Sequence, residues 1–108
     1  MARAFAINTT GIASGGTLSG VFPIMGARAL GIIAPSLTNC NLQIQVAQSS
    51  AGPFVPLYFL GGQSLWQWNI GSAQAALSVA DAVPFSHGKL AASVAQAAPV
   101  TFSIIQRL

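Results

Sequence analysis

Hydrophobic and polar positions alternate along much of this chain, most cleanly from Asn41 to Tyr58, NLQIQVAQSSAGPFVPLY. Leu42, Ile44 and Val46 alternate with Gln43, Gln45 and the small Ala47, the period-two signature of a strand with one buried face. A turn-rich linker, Gln48 to Pro53, leads into a second run, Phe54 to Leu60. That run is apolar on both sides, with Phe54, Tyr58 and Leu60 on one face and Val55, Leu57 and Phe59 on the other. Together they predict a β-hairpin in which the first strand is half buried and the second needs cover on both faces.

The rest of the chain supplies shorter pieces of the same kind. In MARAFAINTT, Phe5 and Ile7 are set against Ala4, Ala6 and Asn8, which reads as an edge strand or a flexible arm over residues 1–16. Gly11, Gly15, Gly16, Gly20 and Gly26 make the next stretch weakly registered, with a loop around Ser14 to Gly16 and a strand over Thr17 to Ile24 ending at Pro23. Arg28 to Ala34 is a strand with Leu30 and Ile32 on one face and Ile33 on the other, and Gly31 suggests a bulge or close backbone approach. Gly61-Gly62 is a turn signal that places a strand over Gln63 to Ile70, with Trp66, Trp68 and Ile70 on one face. Gly71 to Val83 has the alanine content of a helix and the Leu77-Ser78-Val79 alternation of a strand. Strand plus turn is preferred, because every other element is β. Lys89 to Gln96 and Val100 to Arg107 close a domain over residues 17–108. Short strands separated by Gly, Pro and Ser turns predict an all-β fold, an antiparallel β-sandwich of jelly-roll type in a single domain.

Charge changes this picture more than hydrophobicity does. Of 108 residues, 53% are hydrophobic but only 5% are charged, against about 25% in ordinary soluble domains. A monomer free in solution normally carries a mixed charged surface; here the exterior has to be Ser, Thr, Gln, Asn, Gly and Ala, much of it covered by neighbours. That favours a subunit of a larger assembly. The net charge of +3 comes from four scattered cations and one anion, with no cluster able to follow a phosphate backbone, so nucleic-acid binding is not expected. No run of about 18 apolar residues predicts a membrane span, and the amino terminus lacks a compact apolar signal region. The single Cys40 excludes an internal disulfide framework, as expected for a protein made in a reducing cytoplasm.

Catalytic chemistry has little to draw on. There is one Asp, one His, one Cys, one Tyr, one Lys and no Glu, whereas acid–base or nucleophilic catalysis needs a tuned pair. Cys40, His87 and Asp81 can be drawn as a triad, but Cys40 sits in a connection and His87 in a Ser-His-Gly turn, so the expectation is turn residues and a buried or half-buried thiol. The same three residues fall short of a metal ligand set. No enzyme activity, cofactor or metal is expected.

At the hairpin the chain resembles small β-sandwich virion proteins of tailed bacteriophages, capsid decoration and auxiliary proteins among them. Their pattern of an alternating Leu-x-Phe-x-Val strand, a turn and Phe-Val-Pro-Leu-Tyr is met here by Leu42-Gln43-Ile44-Gln45-Val46, Gln48 to Pro53, and Phe54-Val55-Pro56-Leu57-Tyr58. Leu30-Gly31-Ile32-Ile33-Ala34-Pro35 is similar to their Leu-Val-Gly-Ile-x-x-Pro strand, and Gly88 to Val94 and Val100 to Leu108 stand where their last two strands do. The likeness spans residues 17–108. Ser49 and Ser50 replace the usual turn acid, the loop is longer, and Gly61 to Gln74 is unusually aromatic and uncharged.

The resemblance implies a non-enzymatic virion component located in the virion. The first expectation is a capsid decoration or cement protein that binds itself, as a trimer for example, and a major capsid protein. The alternatives are a neck, tail or head-fibre part, or a carbohydrate- or receptor-binding module with Trp66 and Trp68 as a stacking platform. The candidate contact residues are Phe22, Met25, Phe59, Leu60, Trp66 and Trp68, with the glycine-rich amino-terminal arm. For Phe22 and the Trp pair, core packing is the ordinary alternative.

Overall fold

In a computed structural model of the chain, the described residues are 5–24, 28–59, 64–71, 74–79, 82 and 84–107. Among them every regular element is a strand: β1 (Phe5–Ile12), β2 (Phe22–Pro23), β3 (Ala29–Ala34), β4 (Cys40–Ala47), β5 (Val55–Pro56), β6 (Tyr58–Phe59), β7 (Ser64–Leu65), β8 (Gln67–Gly71), β9 (Ala75–Ser78), β10 (His87–Ala92) and β11 (Val100–Arg107). One sheet has the order β1-β11-β3-β9; the second has β2-β10-β4-β5, with β8 also paired to β4; β6 and β7 form a small separate ribbon. All pairings are antiparallel. The chain alternates between the two large sheets, β1 in one, β2 in the other, β3 back again. The last strand, β11, returns to lie between β1 and β3, and β10 lies between β2 and β4, as the winding of a jelly roll requires. The fold is an antiparallel β-sandwich.

Alternation along each strand makes the core. Leu42, Ile44 and Val46 of β4 and Leu90 and Ala92 of β10 turn inward from one sheet. Leu30, Ile32 and Ala34 of β3 and Phe102 and Ile104 of β11 turn inward from the other, and all belong to one buried cluster. The intervening Gln43, Gln45 and Lys89 stay partly exposed. Each fully buried Leu, Ile or Phe in such a layer contributes roughly 1.5–3 kcal/mol relative to exposure.

Several sequence expectations change. The run Phe54–Leu60 is not one strand. Val55 and Pro56 pair with Val46 and Gln45, and the Leu57 N–H still donates to the Ile44 carbonyl at 3.1 Å; the Leu57 carbonyl then accepts from the Trp66 N–H at 2.8 Å, and Tyr58 and Phe59 pair with β7. Only Leu57 of the described side chains there is buried, and Val55 and Tyr58 are 52% and 51% exposed; the two-faced burial expected of this run is not supplied by its own domain. Gly31 carries no bulge, since its register with β11 and β9 is continuous; the irregularity lies between Cys40 and Asn41 instead. The strand expected over Lys89 to Gln96 runs from His87 to Ala92, which leaves Val94 exposed in the following loop. The ambiguous alanine-rich segment does form a strand, β9, at the edge of the first sheet. The first ten residues' alternation belongs to β1, registered with β11 along its whole length.

Buried polar side chains tie the layers and loops together. Gln106 lies in the interior and donates from Nε2 to the Pro23 carbonyl at 2.8 Å, linking β11 in one sheet to β2 in the other. Ser19 exchanges two bonds with Leu90, its N–H donating to the Leu90 carbonyl at 2.9 Å and its hydroxyl accepting from the Leu90 N–H at 2.8 Å. Gln96 joins three loops: Oε1 accepts from the Thr38 N–H at 2.8 Å, Nε2 donates to the Val94 carbonyl at 3.1 Å, and its backbone exchanges bonds with Gly15 and Gly16.

The Phe22 ring lies so close over Gly88 that an added Cβ would stand 2.6 Å from Cζ, so Gly88→Ala should destabilise the domain by about 1–3 kcal/mol in urea denaturation. Gln96→Leu keeps the volume but strands the Thr38 N–H, and should cost about 1–3 kcal/mol in the same measurement. A Gly88→Ala protein with wild-type stability would show that Phe22 is free to move aside.

Candidate functional site

The residues with reactive chemistry are held apart. Cys40 opens β4 opposite Gly71 and is 5% exposed, with Gln96 Nε2 3.7 Å from its sulfur. His87 pairs with Ala47 at the other end of the same strand, which at about 3.3 Å per residue puts the two roughly 23 Å apart. The Ser86 hydroxyl lies 2.9 Å from His87 Nδ1. Asp81 lies outside the described residues. Among the described residues no group of three or more His, Cys, Asp or Glu side chains comes together. Cys40 and His87 form no catalytic pair.

The candidate contact residues divide as follows. Phe22 is 1% exposed and belongs to the domain's own core, so it is withdrawn as a contact residue: Gly88 opposite it leaves the space that its ring fills. Met25 and Leu60 lie outside the described residues, and so does the Phe59 side chain, whose backbone pairs with Ser64. Trp66 and Trp68 do meet, with ring centroids 5.5 Å apart and planes tilted by 54°. Trp68 sits opposite Leu42 and therefore on the inner face of its sheet. Both rings are half buried and pack against the core cluster. They close the margin of the sandwich, and their tilt gives no shared flat platform for a sugar ring.

The large exposed apolar side chains are elsewhere, and two of them share one surface. On the outer face of the β1-β11-β3-β9 sheet, register aligns Ile7, Ile105, Gly31 and Ser78 in one row and Thr9, Ser103, Ile33 and Ala76 in the next. Ile7 is 68% exposed and Ile33 44%. Neither row contains an ionisable group; Arg107 stands beyond them, at the Phe5 end of the face. A shallow open cleft of about 440 Å³ lies over the Ile33 row, bordered by Pro35, Gln74, Ala76, Thr101 and Ser103. Its walls are methyls, hydroxyls and one amide, which suit contact with an uncharged surface rather than proton transfer.

The opposite outer face has a different character. Gln43, Gln45, Gln67 and Asn69 coat it, and Gln43 Nε2 donates to Gln67 Oε1 at 2.8 Å. Lys89 extends its ammonium over the Phe54 ring, 4.8 Å from the centroid, a cation–π contact in reach of solvent. Sequence reasoning did not find the outer face of the first sheet as a surface, because its rows draw on four strands far apart in the chain. The signal that was available is the scarcity of charge in all four, where Arg107 at the end of β11 is the one ionisable residue.

Comparison with known proteins adds a fold-level likeness. No family model and no curated protein matches the chain. Among solved structures, the SPBc2 prophage-derived protein YomS superposes with a TM-score of 0.60 at 14% identity, over 98% of this chain and 96% of that one. A chain of the cyanophage Pam1 capsid asymmetric unit aligns at a TM-score of 0.44 and 12% identity, over 98% of this chain and 86% of that one. The Yersinia pseudotuberculosis-derived mitogen aligns at 0.42 and 13%, over 99% and 87%. The first is a likeness of fold across nearly the whole of both chains; the other two carry no conclusion.

The Trp pair supplies the test of its own role. Trp68→Ala should lower stability by about 2 kcal/mol, roughly half the cost of removing a fully buried aromatic, and should reduce the near-ultraviolet circular dichroism. Unchanged stability, together with lost binding to a glycan, would reverse the assignment.

Proposed function

We propose that the chain is a non-enzymatic structural subunit of a bacteriophage virion, and that it works by covering and cementing a capsid shell in contact with copies of itself. The observation that carries this reading is the outer face of the β1-β11-β3-β9 sheet, two rows without an ionisable group that expose Ile7 and Ile33. Such a face is poorly suited to permanent contact with water and well suited to an interface, whose centre is depleted of charge. With 5% charged residues in the whole chain, little else on the surface compensates. Val55 and Tyr58, left exposed where the chain departs from β4, add a second apolar margin. The fold-level likeness to a prophage-derived protein is in keeping with this reading, as is the resemblance of the hairpin sequence to virion proteins.

A shell position is proposed because a lattice covers a subunit on several sides at once. The chemistry is binding alone: Cys40 opens β4 while His87, on β10, lies opposite the far end of β4, and the cleft over Ile33 offers no acid–base pair. The major capsid protein is the proposed partner, met through uncharged hydrogen-bonding and apolar surface rather than through a charge pattern.

Quantitative mass spectrometry of purified particles tests the proposal. Copies in the hundreds per particle are expected for a shell protein, whereas about a dozen or fewer would move it to the portal–tail axis or a vertex. Absence from particles, with failure of the purified chain to add to shells, would overturn the reading.

A further inference from the structure

Among the described residues, the outer edge of β1 carries backbone groups that no other strand pairs. In an extended strand the N–H and C=O of one residue point to one side, and successive residues alternate. The Gly11 carbonyl accepts from the Gly20 N–H at 3.2 Å, away from β11. Parity carried from the far side of the sheet agrees. The Val79 N–H donates to the Leu30 carbonyl at 2.9 Å, which turns the even residues of β3 toward β9 and the odd ones toward β11. Through the registers of β3 with β11 and β11 with β1, even residues of β1 then face β11 and odd residues face outward. Phe5, Ile7 and Thr9 therefore aim their N–H and C=O groups out of the sheet. Among the described residues no backbone hydrogen bond reaches them; the segment at Ser19 and Gly20 pairs with the Gly11–Ile12 end, Thr10 donates from Oγ1 to the Gly20 carbonyl, and β2 then passes near the strand without pairing to it.

Edge strands normally carry a charge, a proline or a bulge that keeps another strand from adding. β1, with the sequence FAINTTGI, has none of these, and its register with β11 is unbroken over all 8 residues.

We infer that β1 is a self-pairing edge whose partner is β1 of a second copy, antiparallel across a twofold axis at Ile7. The free stretch 5–9 has Ile7 at its centre. A twofold there sets Ile7 opposite its own copy and Phe5 opposite Thr9, so every outward backbone group of the stretch meets an outward group of the partner. Ile7 is also the most exposed of the large apolar side chains, at 68%, and pairing across the axis covers it. No ionisable side chain lies in the strand, so two copies of net charge +3 meet there without opposing like charges. An antiparallel pair of identical strands is isologous and closes as a dimer, not as a threefold ring. The inference rests on the self-association reading above and gives it a surface. A contact of this size falls well short of the ~800 Å² per partner of a standard interface, so the dimer is weak in free solution and strengthens where a shell holds copies side by side.

Sedimentation equilibrium of the full chain, from micromolar to about 1 mM, should show a concentration-dependent dimer. Ile7→Pro removes only an outward N–H, which an edge strand tolerates, and Ile7→Lys opposes like charges across the axis. Both should keep the far-ultraviolet circular dichroism and weaken dimerisation about tenfold or more. Cysteine placement reads the register without depending on those variants. Across a hydrogen-bonded antiparallel pair, Cα atoms are about 5.5 Å apart, inside disulfide range, so Ile7→Cys should cross-link on oxidation. Thr9→Cys should not, its copies standing roughly 14 Å apart; buried Cys40 stays out of the reaction. A wild-type chain monomeric throughout, a dimer indifferent to both Ile7 variants, or equal cross-linking at both cysteines would overturn the inference. An Ile7→Lys chain that still adds to shells at full copy number sinks the edge pairing alone. A chain dimeric through Ile7 but absent from particles sinks the virion proposal alone.

Discussion

The structure depends on apolar burial between two sheets that cover each other. Neither the β4–β10 face, with Leu42, Ile44, Val46 and Leu90, nor the β3–β11 face, with Leu30, Ile32, Phe102 and Ile104, could remain in water alone. The chain has no helix among its described residues to lay over either one. Each sheet is the main cover of the other, and the repeated passage of the chain between them, β1 to β4 and again β8 to β11, keeps them together. The fit is close where it matters: the Phe22 ring occupies space that any side chain at residue 88 would need.

Polar groups are buried in this interior only where they join parts that burial alone leaves loose. Gln106 bridges the two sheets near β2, Ser19 fixes the entry segment to β10, and Gln96 fastens three loops at one end. No buried side-chain nitrogen or oxygen among the described residues lacks a partner, which is the condition under which buried amides stabilise rather than cost. With so few charges available, amides and hydroxyls do the work that ion pairs do in other domains. The same economy of charge leaves the outer face of the first sheet bare, and so the property that shapes the interior also shapes what the exterior can bind.

Much of the fold was legible from single strands. β3, β4, β10 and β11 each alternate with period two, and the more apolar face of each placed Leu30, Leu42, Leu90 and Phe102 inward without reference to any partner, although Ile33 and Ile105 stand on the opposite faces of β3 and β11. The run from Phe54 to Leu60 was misread, because six apolar side chains in seven residues look like a strand covered twice over. The break comes after Leu57, whose N–H still donates to Ile44 of β4 while its carbonyl turns to the Trp66 N–H, a partner that no local pattern announces. Phe22 looked as fit for a contact as for a core, since exposure of one aromatic is set by what stands opposite, here Gly88.

By itself the sequence determined the period-two alternation, the class of fold that follows from it, and a surface almost without charge, because these depend only on residue type and local spacing. Tertiary structure alone decided that Ile7, Ile105 and Gly31 share a row, that Trp68 turns inward against Leu42's face, that Gln96 and Gln106 are buried, and that His87 of β10 lies opposite the end of β4 far from Cys40. The physical reason is that register between strands distant in the chain sets which side chains meet. Register is fixed by the packing of the whole sandwich, and no short stretch carries it.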